Sequence, residues 1–216
     1  MKSNEEMFQL MMDYIKNLDY IHPEDIPDID LYMDQVTTFM DQHLEHSKRY
    51  PEDKVLTKTM INNYAKNQLL PPPEKKKYSR EHILMLIFIY YYKNLLSIGD
   101  IKTLMTPLNE KYFNSSSGLN LTDIYEELFS LEKSQLEVLQ NNAASIFETA
   151  SQTFTDAPEE DRELLRRFAF ISLLGFDVYL KKQMIECLID EMAASQLDAH
   201  SAPTKKASKK ASRDKD

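Results

Sequence analysis

Apolar residues recur at steps of three and four along most of the chain, and that recurrence predicts a succession of helices. Met7, Leu10, Met11, Tyr14, Ile15 and Leu18 mark an amphipathic helix within residues 1–20. His22-Pro23 and Ile26-Pro27 end it by forcing extended backbone. Asp30 is placed to cap a second helix over 31–47, with Leu31, Val36, Phe39, Met40 and Leu44 inward. A third helix starts after Thr57. Met60, Ile61 and Tyr64 fall on one side of it, while Lys58, Thr59, Asn62, Asn63 and Lys66 share the opposite arc. Leu69-Leu70-Pro71-Pro72-Pro73 stops this helix, because proline has no N–H to donate. Lys75-Lys76-Lys77 form a short loop. Ser79 then caps Arg80–Lys93, whose run ILMLIFIYYY is hydrophobic nearly all round and belongs at the centre of the domain. Ser97 caps a short helix, Ile98–Met105, which Pro107 is expected to end.

From Leu108 the character changes. The segment 114–120 (NSSSGLN) reads as a loop and domain boundary. One long helix is expected over 122–154, its apolar positions running 121, 124, 128, 131, 136, 139, 143, 146 and 150. A coiled-coil seam with a stutter gives this pattern, and so does an ordinary helix lying on a neighbour. Pro158 and the acids Glu159-Glu160-Asp161 open a further helix to Leu197, with a kink expected near Gly175. The sequence thus divides into an N-terminal helix (1–22), a helix-turn-helix domain with a short wing (23–107) and a helical hairpin for dimerisation or effector sensing (108–197). A basic tail (198–216) without large apolar residues is expected to be disordered.

Composition sharpens the fold class. Three widely spaced glycines leave no phosphate-cradling loop, and the abundance of Leu, Ile, Met, Glu and Lys argues for an all-α protein. The single Cys187 excludes an intrachain disulfide and a multi-cysteine metal site. The longest apolar runs are too short to span a bilayer, so a soluble cytoplasmic protein with no membrane partner is expected. The net charge is −9, but it is segregated: residues 54–82 carry +5, the tail from Pro203 carries +4 and the remainder −18. His43 and His46 lie three apart with no third ligand evident, and neighbouring carboxylates on a helix point apart. No nucleophile elbow or Cys/His dyad is present, and the expectation is a non-enzyme without metal or cofactor.

A helix, a connection and an amide-rich second helix follow the helix-turn-helix order, and the expected partner is double-stranded DNA. A carboxamide pairs bidentately with adenine, which makes Asn62 and Asn63 candidate base readers. Lys58, Thr59 and Lys66 would sit on phosphates beside them. Lys75, Lys76, Lys77, Tyr78 and Arg80 would grip the flanking backbone, and His82 would either donate to a phosphate or hydrogen-bond the wing. A homodimer through 121–197 would present two such helices to a palindromic site. The alternative is a protein-interaction module that keeps the helix-turn-helix shape, its basic loop meeting an acidic partner surface.

The segments TMINNYAKNQLLPPP, YSREHILMLIFI and LSIGDIKTLM resemble the N-terminal domain of MerR-type regulators. More closely, LYMDQVTTFM together with LTKTMINNYAKN and the proline–lysine segment is similar to a bacterial family catalogued as domain of unknown function 1836, over about residues 26–106. The MerR likeness implies a winged helix-turn-helix transcription regulator. Where that family has an arginine before a tyrosine pair, this chain has Asn62, Asn63 and Tyr64, and the family's helix-closing glycine falls near Gln68. The absent arginine shifts weight to Lys58, Lys66 and the three lysines of the loop.

Overall fold

His82 to Tyr90 are all buried, and the rest of the N-terminal half is arranged around them. They belong to α4 (Arg80–Tyr92) in a computed structural model that describes residues 2–17, 20–115 and 118–201. Before α4 come α1 (Asn4–Lys16), β1 (Leu31–Tyr32), α2 (Met33–His43), α3 (Lys58–Lys66) and β2 (Lys77–Tyr78). After it come α5 (Ile98–Tyr112), α6 (Leu121–Ser130), α7 (Glu132–Ser151) and α8 (Glu159–Ser201). Among the described residues the fold is all-α apart from the antiparallel pair β1–β2. No helix among the described residues is long and apolar enough to cross a membrane.

The second helix starts two residues later than the periodicity suggests. Leu31 and Tyr32 are drawn into a ladder with the wing, Leu31 opposite Tyr78 and Tyr32 opposite Lys77. The helix proper begins where the Gln35 carboxamide accepts from the Tyr32 N–H at 2.9 Å. It ends at His43, and Glu45–Ser47 form a single 3₁₀ turn. The His43 ring lies 4.4 Å from that of Phe39.

Pro107 does not end α5. A proline inside a helix leaves the carbonyl four residues back without its donor, here that of Thr103. The Gln196 side chain of α8 donates to that oxygen at 3.2 Å, so the helix continues to Tyr112. The expected single helix over 122–154 is two helices that meet at Leu131. Hydroxyls compete for backbone carbonyls at the joint: Ser130 Oγ donates to Glu127 O and Ser134 Oγ to Leu131 O. The break lets the chain change neighbours. Tyr125 and Phe129 of α6 pack toward Phe88 of α4, whereas α7 lies along α8.

The N-terminal helix docks mainly on that hairpin rather than on residues 23–107. Phe8 stacks on Phe147 at 4.4 Å and meets Phe170 edge-on, while Asn4 exchanges hydrogen bonds with Glu163 and Arg167. A hydrogen bond from Tyr14 Oη to the His46 carbonyl reaches residues 23–107. At the other end α8 runs to Ser201, past the expected start of the tail, and residues 202–216 lie outside the described residues.

Candidate nucleic-acid interface

The helix α3 is fixed at both ends and along one face. Thr57 Oγ1 accepts from the Met60 N–H at 3.2 Å, satisfying one of the orphan donors of the first turn. Ile61 and Tyr64 are buried beneath it. At its C-terminus the Leu69 N–H reaches Tyr64 O and the Gln68 N–H reaches Ala65 O, with Gln68 at φ 62°. These are the two bonds of a Schellman cap, a position that favours glycine. The αL conformation is therefore present at Gln68 without the glycine. Two groups from α5 secure this cap: Lys102 Nζ donates to Gln68 Oε1 and Asn109 Nδ2 to Leu69 O.

With Ile61 and Tyr64 inward, Lys58, Thr59, Asn62, Asn63 and Lys66 are all exposed. Asn63 is pre-oriented: Asn67 Nδ2 donates to its backbone carbonyl at 2.8 Å and to its Oδ1 at 3.1 Å. The second lone pair of that oxygen and both N–H donors stay available to a ligand. Lys58 forms an ion pair with Asp34 at the start of α2. Among the described residues Lys66 has no ion pair.

The lysine loop is the tip of a small wing. The Lys77 N–H donates to Glu74 O at 2.9 Å, closing a turn whose central residues, Lys75 and Lys76, have φ 49° and 67°. Two positive φ values define a type I′ hairpin turn, which Asn-Gly normally fills. Both lysines are exposed. From there the strand alternation decides which side chains face out. Leu31 and Tyr78 point into the core, and Tyr32 and Lys77 point away from it, with Lys77 Nζ 5.5 Å from the centre of the Tyr32 ring.

Two of the expected backbone grips therefore have other duties. Tyr78 is buried, edge-on to His82 at 5.5 Å, and burial pushes its phenol pKa up. Arg80 donates to the carbonyls of Ile26 and Pro23, each at 2.6 Å, and pairs with Asp28 at 2.8 Å. It ties the segment before β1 to α4. His82 is buried as well. Its Nδ1 accepts from the Ser79 N–H at 3.0 Å and completes the helix cap, so it faces no solvent phosphate.

The outward aromatic of the wing is Tyr32, which period-two alternation along Leu31-Tyr32 would have revealed had that pair been read as a strand. A second polar set goes unnoticed in the sequence: Thr37, Thr38, Asp41 and Gln42 of α2 line an open cleft with Lys54, Thr57 and Lys58. The start of α2 connects the parts. Lys77 lies over Tyr32, and Lys58 pairs with Asp34 two residues on. The wing and the N-terminus of α3 thus border one short stretch of chain. Chemically, the set offers carboxamides, hydroxyls and ammonium groups, with the carboxylates Asp34 and Asp41 paired to Lys58 and Lys48, but no nucleophile–base pair. Among the described residues no three His, Cys, Asp or Glu side chains gather as a metal site.

A family model described as Domain of unknown function (DUF1836) matches residues 21–128, half of the chain. The comparisons with curated proteins and with solved structures returned no match.

Proposed function

The chain belongs to the DUF1836 family, and we propose that it is a non-enzymatic, DNA-binding transcription regulator of the winged helix-turn-helix, MerR-like class. In this reading α3 enters the major groove, Asn62 and Asn63 read base edges, and Lys58, Thr59 and Lys66 lie against phosphates. Lys75 and Lys76 reach the flanking backbone from the wing, with Lys77 beside them on Tyr32. Tyr78 and Arg80 serve the scaffold and are left out. A homodimer presents two such units to a palindrome.

The observation that carries the reading is the shared border at Tyr32–Asp34, where the wing and α3 both project exposed polar groups. The test is selection of bound fragments from random double-stranded DNA. A recovered motif whose preference relaxes at one position in Asn63→Ala, by about 1–3 kcal/mol, supports it. Failure to recover any motif, with no binding to the pooled DNA, overturns it.

A second reading, a protein-interaction module with the same shape, is favoured by the Lys58–Asp34 pair, which neutralises one of the cations expected on DNA. Reversing the charge of Lys75 and Lys76 separates the two. Loss of a protein partner with unchanged DNA behaviour selects the module, and loss of DNA affinity selects the regulator.

A further inference from the structure

Among the described residues nothing covers one face of the first half of α8. The positions 161, 164, 168, 171, 175, 178 and 182 step by three and four without interruption, the spacing of a coiled-coil seam. They are Asp161, Leu164, Phe168, Ile171, Gly175, Val178 and Lys182. Phe168 is 64 % exposed, and Leu164, Ile171 and Val178 are each more than half exposed. The opposite side of the same stretch packs on α1 and α7 through Arg166, Phe170 and their neighbours. Further along, the seam side turns inward, with Ile189 in the protein's own core and Gln196 part-buried against α5. The seam itself is therefore bare only in the first half of the helix, while Leu180, Met184 and Leu188 stay exposed on another side further along.

We propose that this strip is the interface of a two-fold, antiparallel dimer in which α8 pairs with α8 of a second copy, centred near Ile171. The proposal deepens the dimer element of the functional reading above. Three features select a second copy and this register. First, Gly175 sits in mid-helix, where glycine costs about 1 kcal/mol relative to alanine. Among the described residues a Cβ there would meet nothing within 4 Å, so their packing does not require glycine. Antiparallel pairing about residue 171 sets Phe168 against the Gly175 of the other copy, a large side chain opposite a bare backbone.

Second, the seam ends in opposite charges. Asp161 lies in the acidic first turn with Glu159 and Glu160, and Lys182 lies beside Lys181, the two lysines pairing within the helix with Glu186 and Asp177 and keeping their remaining donors for a second copy. Antiparallel pairing brings the acidic turn of each copy to the lysines of the other. Parallel pairing would set like charge on like charge, and Phe168 on Phe168 with a gap at glycine. Third, the area suits a two-fold contact. The apolar part of the strip exposes on the order of 500 Å², near the upper end of what a monomer leaves bare. The flanking charged turns bring it towards the roughly 800 Å² per partner of a stable interface.

Light scattering on the full chain at tens of micromolar tests the association, and paired cysteines test the register. The expected mass is twice that of the chain. Gly175→Trp, whose Cβ meets no described atom within 4 Å in the single copy, is expected to give a monomer with unchanged helical circular dichroism. In a Cys187→Ser background, Phe168→Cys with Gly175→Cys is expected to cross-link between copies, and Phe168→Cys alone is not. A monomeric wild type, a dimeric Gly175→Trp, or cross-linking by Phe168→Cys alone overturns the proposal. DNA binding is read separately: loss of the dimer with weak binding retained strikes only the seam, and an intact dimer without DNA binding strikes only the regulator reading.

Discussion

The Thr103 carbonyl, deprived of its helical donor by Pro107, accepts a hydrogen bond from Gln196 at 3.2 Å. This contact ties α5, which buttresses the end of α3, to the long helix α8. Removing the carboxamide with Gln196→Ala leaves a part-buried carbonyl unpaired and is expected to cost about 1–2 kcal/mol. Pro107→Ala restores a backbone donor for Thr103, and on that background the cost of Gln196→Ala should largely vanish. Urea denaturation of the four proteins of this double-mutant cycle checks the coupling.

The wing tip holds two lysines where the backbone favours asparagine and glycine. Left-handed φ costs an L residue with a long side chain about 1 kcal/mol or more. Replacing Lys75→Asn and Lys76→Gly together is therefore expected to raise the urea midpoint while lowering affinity for DNA. Stability and binding moving in opposite directions would show that the strained turn is kept for its ammonium groups. A gain in both would show that it is not.

His82 gives the domain a pH dependence with a definite sign. Burial holds its pKa below the ordinary imidazole value, against smaller opposing effects of the Pro72 and Pro71 carbonyls and of Glu81 and Asp30. The unfolded chain then binds the proton more readily than the folded one. The stabilisation is complete above about pH 6.5, the unfolded imidazole value, and is lost as pH falls through the folded pKa. His82→Gln keeps an acceptor for the Ser79 N–H, as in a Ser-x-x-Gln capping box, and removes the titration. Thermal midpoints are expected to fall more for wild type than for His82→Gln between neutral pH and about pH 5.5, a window set by the imidazole reference value.

The parts of this fold that were legible in the sequence are those fixed by local chemistry. Thr57, Ile61 and Tyr64 set the start and the buried face of α3, and an apolar run without a polar side could only be a central helix. What was not legible depended on distant partners. Leu31-Tyr32 reads as helix until Lys77-Tyr78 is beside it, and the same pairing turns Tyr78 inward and Tyr32 outward. Arg80 looks like a wing cation until the carbonyls of Pro23 and Ile26 surround it. Pro107 ends a helix in isolation and is accommodated only because Gln196 arrives from ninety-three residues away. The seam on α8 is masked for a related reason. Its own chain covers one side of the helix in the first half and the other side in the second, so the whole reads as apolar all round.

The central claim is that α3 and the wing grip the phosphate backbone of DNA. It is tested most directly by the slope of log Kobs against log salt concentration for wild type and for Lys75→Ala/Lys76→Ala. Each lost phosphate contact reduces the slope by about 0.9, so the variant is expected to bind more weakly and with a slope smaller in magnitude by roughly 2. Wild-type protein that shows no salt-dependent binding, or a variant with the wild-type slope, would contradict the account.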